Sequence, residues 1–354
     1  MHTITSPIGT TARPQGVRRK RGFFFWTRRV LLVLVIALVA LGGAGAVYQA
    51  VATAIDQRAY PAPGQLVDVG GYKLHIHCLG QGSPTVVLEG GLGESSPFWG
   101  WVQPGAATTT RVCAYDRAGL GWSEASPKPR DASTMAEELH TLLQRARIAG
   151  PYVLVGHSFG GKYVRLFAAR YPGDIAGVVL VDSSHPDQFA RTPAGAMQYT
   201  SGARIAAVFP ALVRLGIPRV IGYPAIDPAL PDRERAELET QLWTTQLADT
   251  FHDEYLVTPT TDAQVRATGD LGALPLVVLT ATEHGYPPTT AAEMEDYWRG
   301  LQVELVHLSS NSVQRIVAGA THASLLDDRD HAQATIAAIL QVVTAARTGQ
   351  PLHP

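Results

Sequence analysis

A serine hydroxyl is a poor nucleophile at neutral pH unless a neighbouring base takes its proton. The segment Gly156-His157-Ser158-Phe159-Gly160 places one serine between two glycines. It directly follows the apolar run Tyr152–Val155 and directly precedes a helical pattern over Lys162–Arg170. A sharp strand-to-helix turn needs glycine where side chains would clash. Such a turn lifts Ser158 Oγ above the sheet edge, beside a helix N-terminus that favours developing negative charge. The chemistry these residues could do is acyl transfer. Among 12 histidines, His322 is the best general base, because it follows the last short strand and leads into the C-terminal helix. Two carboxylates compete to orient it: Asp182 at the end of Val178–Val181, and Glu283 in the loop after Leu276–Thr280. Either would accept the Nδ1–H of His322, fix its tautomer and stabilise the imidazolium. His157 faces the other way in the turn and reads as structural. His75 and His77 lie two apart on one strand face without an acidic or cysteine pattern for metal, and read as surface residues.

These residues need a scaffold, and the sequence lays one out. Leu66–Val69 and Tyr72–Leu79 read as two strands joined by Gly70-Gly71, a hairpin signal. Thr85–Glu89, Arg111–Tyr115, Tyr152–Val155, Val178–Val181, Leu276–Thr280 and Arg315–Val317 continue as strands. Helices fall between them, one opening with Thr134 and Glu137 at capping-box spacing. Strands alternating with helices predict an α/β fold, a mostly parallel eight-stranded sheet flanked by helices. The rhythm breaks from about 186 to 272, which predicts a helical cap inserted after the sixth strand. The hydrolytic domain then spans 65–354.

Residues 1–29 form a basic tail with Arg-Arg-Lys-Arg at 18–21, and 30–48 are apolar without a charge. That length crosses a bilayer as a helix, and the flanking arginines put the tail on the cytoplasmic side. The catalytic domain would then lie on the extracytoplasmic side of a membrane, held by a single-pass anchor and a linker over 49–64. A cleaved signal peptide is the rival, with Ala44-Gly45-Ala46 as its small-residue site. The two cysteines, Cys78 and Cys113, are either small buried strand residues or, in an oxidising compartment, one disulfide. A formal net charge of -1 gives no long-range attraction for nucleic acid.

The chain resembles the α/β-hydrolase superfamily from about 66 to 345. Beside the Gly-x-Ser-x-Gly elbow, Leu88-Glu-Gly-Gly-Leu-Gly93 sits where that family has its His-Gly oxyanion loop. Tyr115-Asp-Arg-Ala-Gly-Leu-Gly-Trp-Ser123 resembles its turn after the fourth strand, and Gly319-Ala-Thr-His322 its catalytic-histidine segment. The resemblance implies the chain order serine, acid, histidine. Aligned by the seventh strand, His284 rather than Glu283 falls at the family's usual acid position. Haloalkane-dehalogenase-like relatives take the acid from the strand end occupied here by Asp182, so Asp182 is favoured. The oxyanion donors are then the backbone N–H of Phe159 and that of Gly91, with Leu92 as the substitute. Losing one such donor costs roughly 3–4 kcal/mol in the barrier. Glu89 stands where the family has histidine. The Asp116–Ser123 turn is expected to be structural. Trp99, Trp101 and Trp122 either line a pocket or pack under the cap.

The activity implied is hydrolysis of a carboxylic ester, lipid or small molecule, without a cofactor or metal. A serine nucleophile argues against dehalogenase and epoxide-hydrolase chemistry, which uses aspartate. The alternatives are an aminopeptidase of the proline-iminopeptidase type and a non-catalytic ligand sensor on the same fold.

Overall fold

The computed structural model describes Gly9 and residues 21–193, 199–222 and 226–353. Apart from Gly9 and 21–29, the expected cytoplasmic tail lies outside the described residues. The chain enters through α1 (Arg21–Ala59), whose most apolar stretch has no burial inside the protein. The expected linker from 49 is therefore helical to Ala59. Ala50 to Ala59 carries no glycine or proline, and Asp56 pairs with Arg219 of the cap. The helix stops ahead of Pro61, which cannot continue it.

Eight strands follow: β1 (Gln65–Asp68), β2 (Lys73–Leu79), β3 (Thr85–Glu89), β4 (Val112–Tyr115), β5 (Tyr152–His157), β6 (Ile175–Val181), β7 (Leu276–Glu283) and β8 (Ser312–Thr321). They form one sheet in the order β1-β2-β4-β3-β5-β6-β7-β8. β2 pairs antiparallel with β1 and β4, and every other neighbour is parallel. The carboxyl ends of β3, β5, β6, β7 and β8 thus share one edge.

The central strands are apolar on both faces, as parallel strands covered by helices must be. Their side chains alternate between two cores. Val87, Leu154, Val178, Leu180 and Val278 face one core with Leu139 of α3 (Ala132–Arg145), reached after α2 (Val102–Ala106), and with Phe167 of α4 (Gly160–Arg170). Val86, Leu88, Val153, Val179 and Val277 face the other, against Val102 of α2 and the C-terminal helix. The α3 N-terminus corrects one expectation. Its cap is Asp131, whose carboxylate accepts the Thr134 N–H at 2.9 Å, so the helix opens ahead of the Thr134–Glu137 pair.

Between β6 and β7 the cap supplies α5 (Tyr199–Arg214), α6 (Ile217–Ile221), α7 (Asp232–Gln241), α8 (Thr245–Leu256) and α9 (Thr258–Arg266). After β7 come α10 (Ala291–Val306), α11 (Ser324–Asp327) and α12 (Ala332–Thr348). Cys78 and Cys113, register partners on β2 and β4, are disulfide-bonded.

Candidate active site

Ser158 sits at the tip of the β5–α4 turn with φ +51°, a conformation rare for a residue bearing a Cβ. The surroundings hold it there. Its N–H donates to Val181 O (3.2 Å), and its carbonyl accepts from Gly161 (3.1 Å) and Ser184 (2.8 Å). Glycine is required beside it: a Cβ on Gly160 would stand 2.4 Å from Glu89 O, and one on Gly156 2.7 Å from Gly160 C. This turn opens on a cavity of about 570 Å³. Ser158 and His322 both line it, among Phe159, Phe189, Tyr255 and Trp298.

Asp182, also at positive φ (+41°), is fully buried at the end of β6. Its N–H donates to Leu279 O at 2.8 Å. Its Oδ2 accepts His322 Nδ1–H at 2.6 Å and His284 Nε2–H at 2.9 Å. Its Oδ1 accepts Trp298 Nε1–H (2.8 Å) and the Ala281 N–H (3.1 Å). Four donors thus occupy the four lone-pair directions of one carboxylate. Burial by itself raises the Asp182 pKa. The hydrogen bonds from His284 and His322, with their charge, outweigh that and hold it far below the usual carboxylate range. Glu283, the rival acid, is exposed at the end of β7.

His284 is the group the sequence reading did not assign a role. Its Nδ1 faces Glu295 Oε2 at 2.7 Å while its Nε2 faces Asp182. Both ring nitrogens thus face carboxylate oxygens, a geometry that favours the protonated ring. Burial lowers its pKa, and the two carboxylates more than reverse this and raise it. The signal was present at the seventh strand, where His284 takes the family's usual acid position. Its partner Glu295 sits one helical turn from Trp298 on α10, so one helix sends Trp298 to Asp182 at the end of β6 and Glu295 to His284 just past β7. Ligand-type atoms of Asp182, His284 and His322 lie within 4.8 Å of one another, a spacing that could hold a cation. With protons on the nitrogens that face Asp182, the same atoms form a hydrogen-bonded chain.

His157, expected to be structural, is buried and spans two acceptors: Glu94 Oε2 at 2.9 Å and the backbone O of His322 at 3.0 Å. It thereby braces the loop that carries the base. Burial lowers its pKa, and Glu94 overrides that and raises it.

The Gly90–Gly91 loop holds one of the expected donors in an internal bond. The Gly91 N–H donates to Glu94 Oε2 at 2.5 Å, so this donor is engaged within the protein. Glycine is needed at 91, since a Cβ there would lie 2.8 Å from Ser158 Cβ. Phe159 precedes the first residue of α4, where helix N–H groups lack intrahelical acceptors. Glu89, in place of histidine, pairs with Arg117 Nη1 at 2.7 Å and accepts the Tyr115 hydroxyl. Arg117 also donates to Gly90 O (2.7 Å) and Gly91 O (2.6 Å), and its Nε reaches Glu254 of α8 at 2.9 Å. The turn expected to be structural therefore links the oxyanion loop to the cap.

His75 corrects a further expectation, and the tryptophans fall to the packing alternative. His75 is fully buried, with Nδ1 2.8 Å from Asp116 Oδ2 and Nε2 2.5 Å from Pro63 O. None of Trp99, Trp101 and Trp122 is among the cavity-lining residues. Trp99 is core, while Trp101 and Trp122 donate to Ala229 O and Tyr60 O, both at 2.9 Å. The cavity's tryptophan is Trp298.

The fold and this edge of the sheet define a class. The chain belongs to the alpha/beta hydrolase fold family, whose profile matches residues 84–307. It is similar to an uncharacterized protein of Schizosaccharomyces pombe, 35% identical over 155 residues that make up 35% of this chain and 29% of the relative. It is also similar to an uncharacterized vacuolar membrane protein of Saccharomyces cerevisiae, 31% identical over 134 residues, 33% of this chain and 21% of the relative. The chain spans less than a third of the length of either. Among solved structures, a thermophilic esterase from Thermogutta terrifontis superposes with a TM-score of 0.57 at 19% identity, covering 80% of this chain and all of the esterase.

Proposed function

We propose that this protein is a membrane-anchored serine hydrolase of carboxylic esters. The observation that carries the reading is the meeting of Ser158, held at positive φ on its elbow, and an Asp182-bonded His322 in one apolar cavity. His322 Nε2 takes the Ser158 proton as Oγ attacks the ester carbonyl. Asp182, already ionised, stabilises the imidazolium that forms. The Phe159 N–H supports the oxyanion from the start of α4. The Gly91 N–H is the second donor and exchanges Glu94 for the substrate oxygen. The positive His157 beside Glu94 limits the repulsion between that carboxylate and the developing charge. His322 returns its proton to the leaving alkoxide, then activates water to release the acid and restore Ser158.

The anchor is Phe24–Ala59, long and apolar enough to cross a membrane. Arginines on its N-terminal side favour a cytoplasmic N-terminus and an extracytoplasmic domain, and a Cys78–Cys113 disulfide suits that side.

The test is hydrolysis of p-nitrophenyl esters from C2 to C16 by the full chain in phosphatidylcholine nanodiscs, beside Ser158→Ala. We expect turnover that drops at least about 10⁴-fold in the variant, and fluorophosphonate labelling that requires Ser158. No turnover on any ester and no labelling would sink the reading in favour of a ligand sensor. Labelling without ester turnover would redirect it to a peptidase.

A further inference from the structure

α5 presents an apolar stripe to the outside. Ile205, Val208, Leu212 and Leu215 recur at helical spacing and are all exposed. α6 continues it with Ile217, Val220 (72% exposed) and Ile221 (66% exposed). A soluble surface scatters such residues singly and does not gather seven on one hairpin.

The hairpin is joined to the anchor helix. The backbone of Leu215 lies so close to α1 that a Cβ on Gly45 would stand 2.3 Å from Leu215 O. Gly42 faces Leu215 Cδ2, and Tyr48 faces Gly216. Above this contact a polar collar begins. Arg219 Nη1 meets Asp56 Oδ2 at 2.6 Å, and its Nε reaches Gln49 Oε1 at 3.3 Å. Arg214 meets Asp249 at 2.7 Å.

Depth follows from helix geometry. Val30 to Val47 rises about 27 Å at ~1.5 Å per residue, close to the roughly 30 Å hydrocarbon core of a bilayer. Gly42 and Gly45 fall within the C-terminal third of that rise. An element packed on them sits at the depth of the outer leaflet, whatever its own composition.

We infer that the α5–α6 hairpin of the cap is a second membrane contact, inserted into the lipid surface beside α1. This rests on the membrane reading of α1. The occupant is the bilayer because the stripe is continuous with the helix that crosses it and ends at the charged collar, the profile of an interfacial element. The cavity lies behind it. Rings of Phe209, Phe251 and Tyr255 follow one another at 6.0 and 6.3 Å between centroids, from α5 to the cavity wall. The substrate class is accordingly an ester with an apolar arm that resides in the bilayer.

The test uses the full chain in phosphatidylcholine vesicles. With both native cysteines in a disulfide, single thiols introduced by Val39→Cys, Val208→Cys, Val220→Cys and Gln350→Cys take a nitroxide. Relaxation by oxygen, which favours lipid, is compared with relaxation by a water-soluble nickel chelate. Positions 208 and 220 are expected to follow 39 in favouring oxygen, with 350 favouring nickel. Lipid-like behaviour at 39 with water-like behaviour at 208 and 220 would overturn the hairpin proposal and leave the anchor standing. Water-like behaviour at 39 as well would bring down the anchor reading and this proposal with it. Low access to both reagents with dipolar broadening at 208 and 220 would put a second copy of the chain there instead. As a functional arm, the double variant Val208→Asp, Val220→Asp should lose about tenfold in turnover of a vesicle-embedded long-chain ester and keep its turnover of a soluble short one. Unchanged turnover of the embedded ester would count against the proposal.

Discussion

The strand ends and the cap hold their residues in different ways. At the strand ends, backbone fixes position: Ser158 N–H bonds the end of β6, and Asp182 N–H bonds Leu279 within β7. In the cap, side chains do this work. Arg117 crosses to Glu254, and Lys162 of α4 meets Asp262 of α9 at 2.6 Å. The sheet edge thus supplies a constellation that tolerates little displacement. The cap supplies a wall whose place depends on a few buried charges. On the proposed reading, chemistry belongs to the first region, and access and location to the second.

That contrast can be broken in order of expected effect. Asp182→Asn should lower turnover by about 10⁴-fold, because the wrong tautomer of His322 is then favoured. Glu283→Gln should stay within about threefold of the parent, and a loss at Glu283 comparable to that at Asp182 would move the acid to β7. Arg117→Met strips the charge from between Glu89 and Glu254, so chemical denaturation should show a loss of about 3–5 kcal/mol. A change under about 1 kcal/mol would mean the cap does not depend on this crossing. Cys78→Ala with Cys113→Ala removes a cross-link spanning 35 residues and should cost about 2–4 kcal/mol.

The smallest effect concerns pH. The folded pKa of His284 is raised from 6.5. Its stabilisation is therefore complete below about 6.5 and is lost as pH rises through the raised value. Asp182 works in the opposite sense: its contribution is present above 3.8 and is lost as pH falls toward its depressed value. His284→Gln should flatten part of the decline in melting temperature on the alkaline side and leave the acid side largely in place. His75 and His157, also raised, keep the remaining slope. An unchanged alkaline limb would show that His284 is not charged in the folded protein.

How much of this was legible follows from where each signal lives. The eight strands are runs of apolar residues local in the chain, and Gly156-x-Ser158-x-Gly160 is a turn whose glycines are needed by neighbours within a few residues. His322 and Asp182 follow from their places at strand ends. Glu94 and His284 are different. Glu94 takes the Gly91 N–H three residues away, yet nothing in a glycine-rich string tells which acceptor a backbone donor meets. The imidazolium of His284 needs Asp182 and Glu295 from two other elements, so its charge is a property of the assembled sheet edge. His75 misled for the same reason, since its partner Asp116 lies on the turn after β4. The helical reach of α1 past residue 49 fits a stretch without glycine or proline, while its Asp56–Arg219 tie to the cap is named by no local pattern.

The Arg117 crossing has a consequence for descent and for engineering. One guanidinium fastens both the loop that carries Gly90 and Gly91 and the cap helix that carries Glu254. Substrate range in such a scaffold cannot be altered by exchanging the lid as a cassette. A transplanted cap without an acid facing Arg117 would slacken the loop beside the nucleophile, and new specificity would arrive with a slower reaction. In this molecule the cap and the Gly90–Gly91 loop are fastened by one side chain.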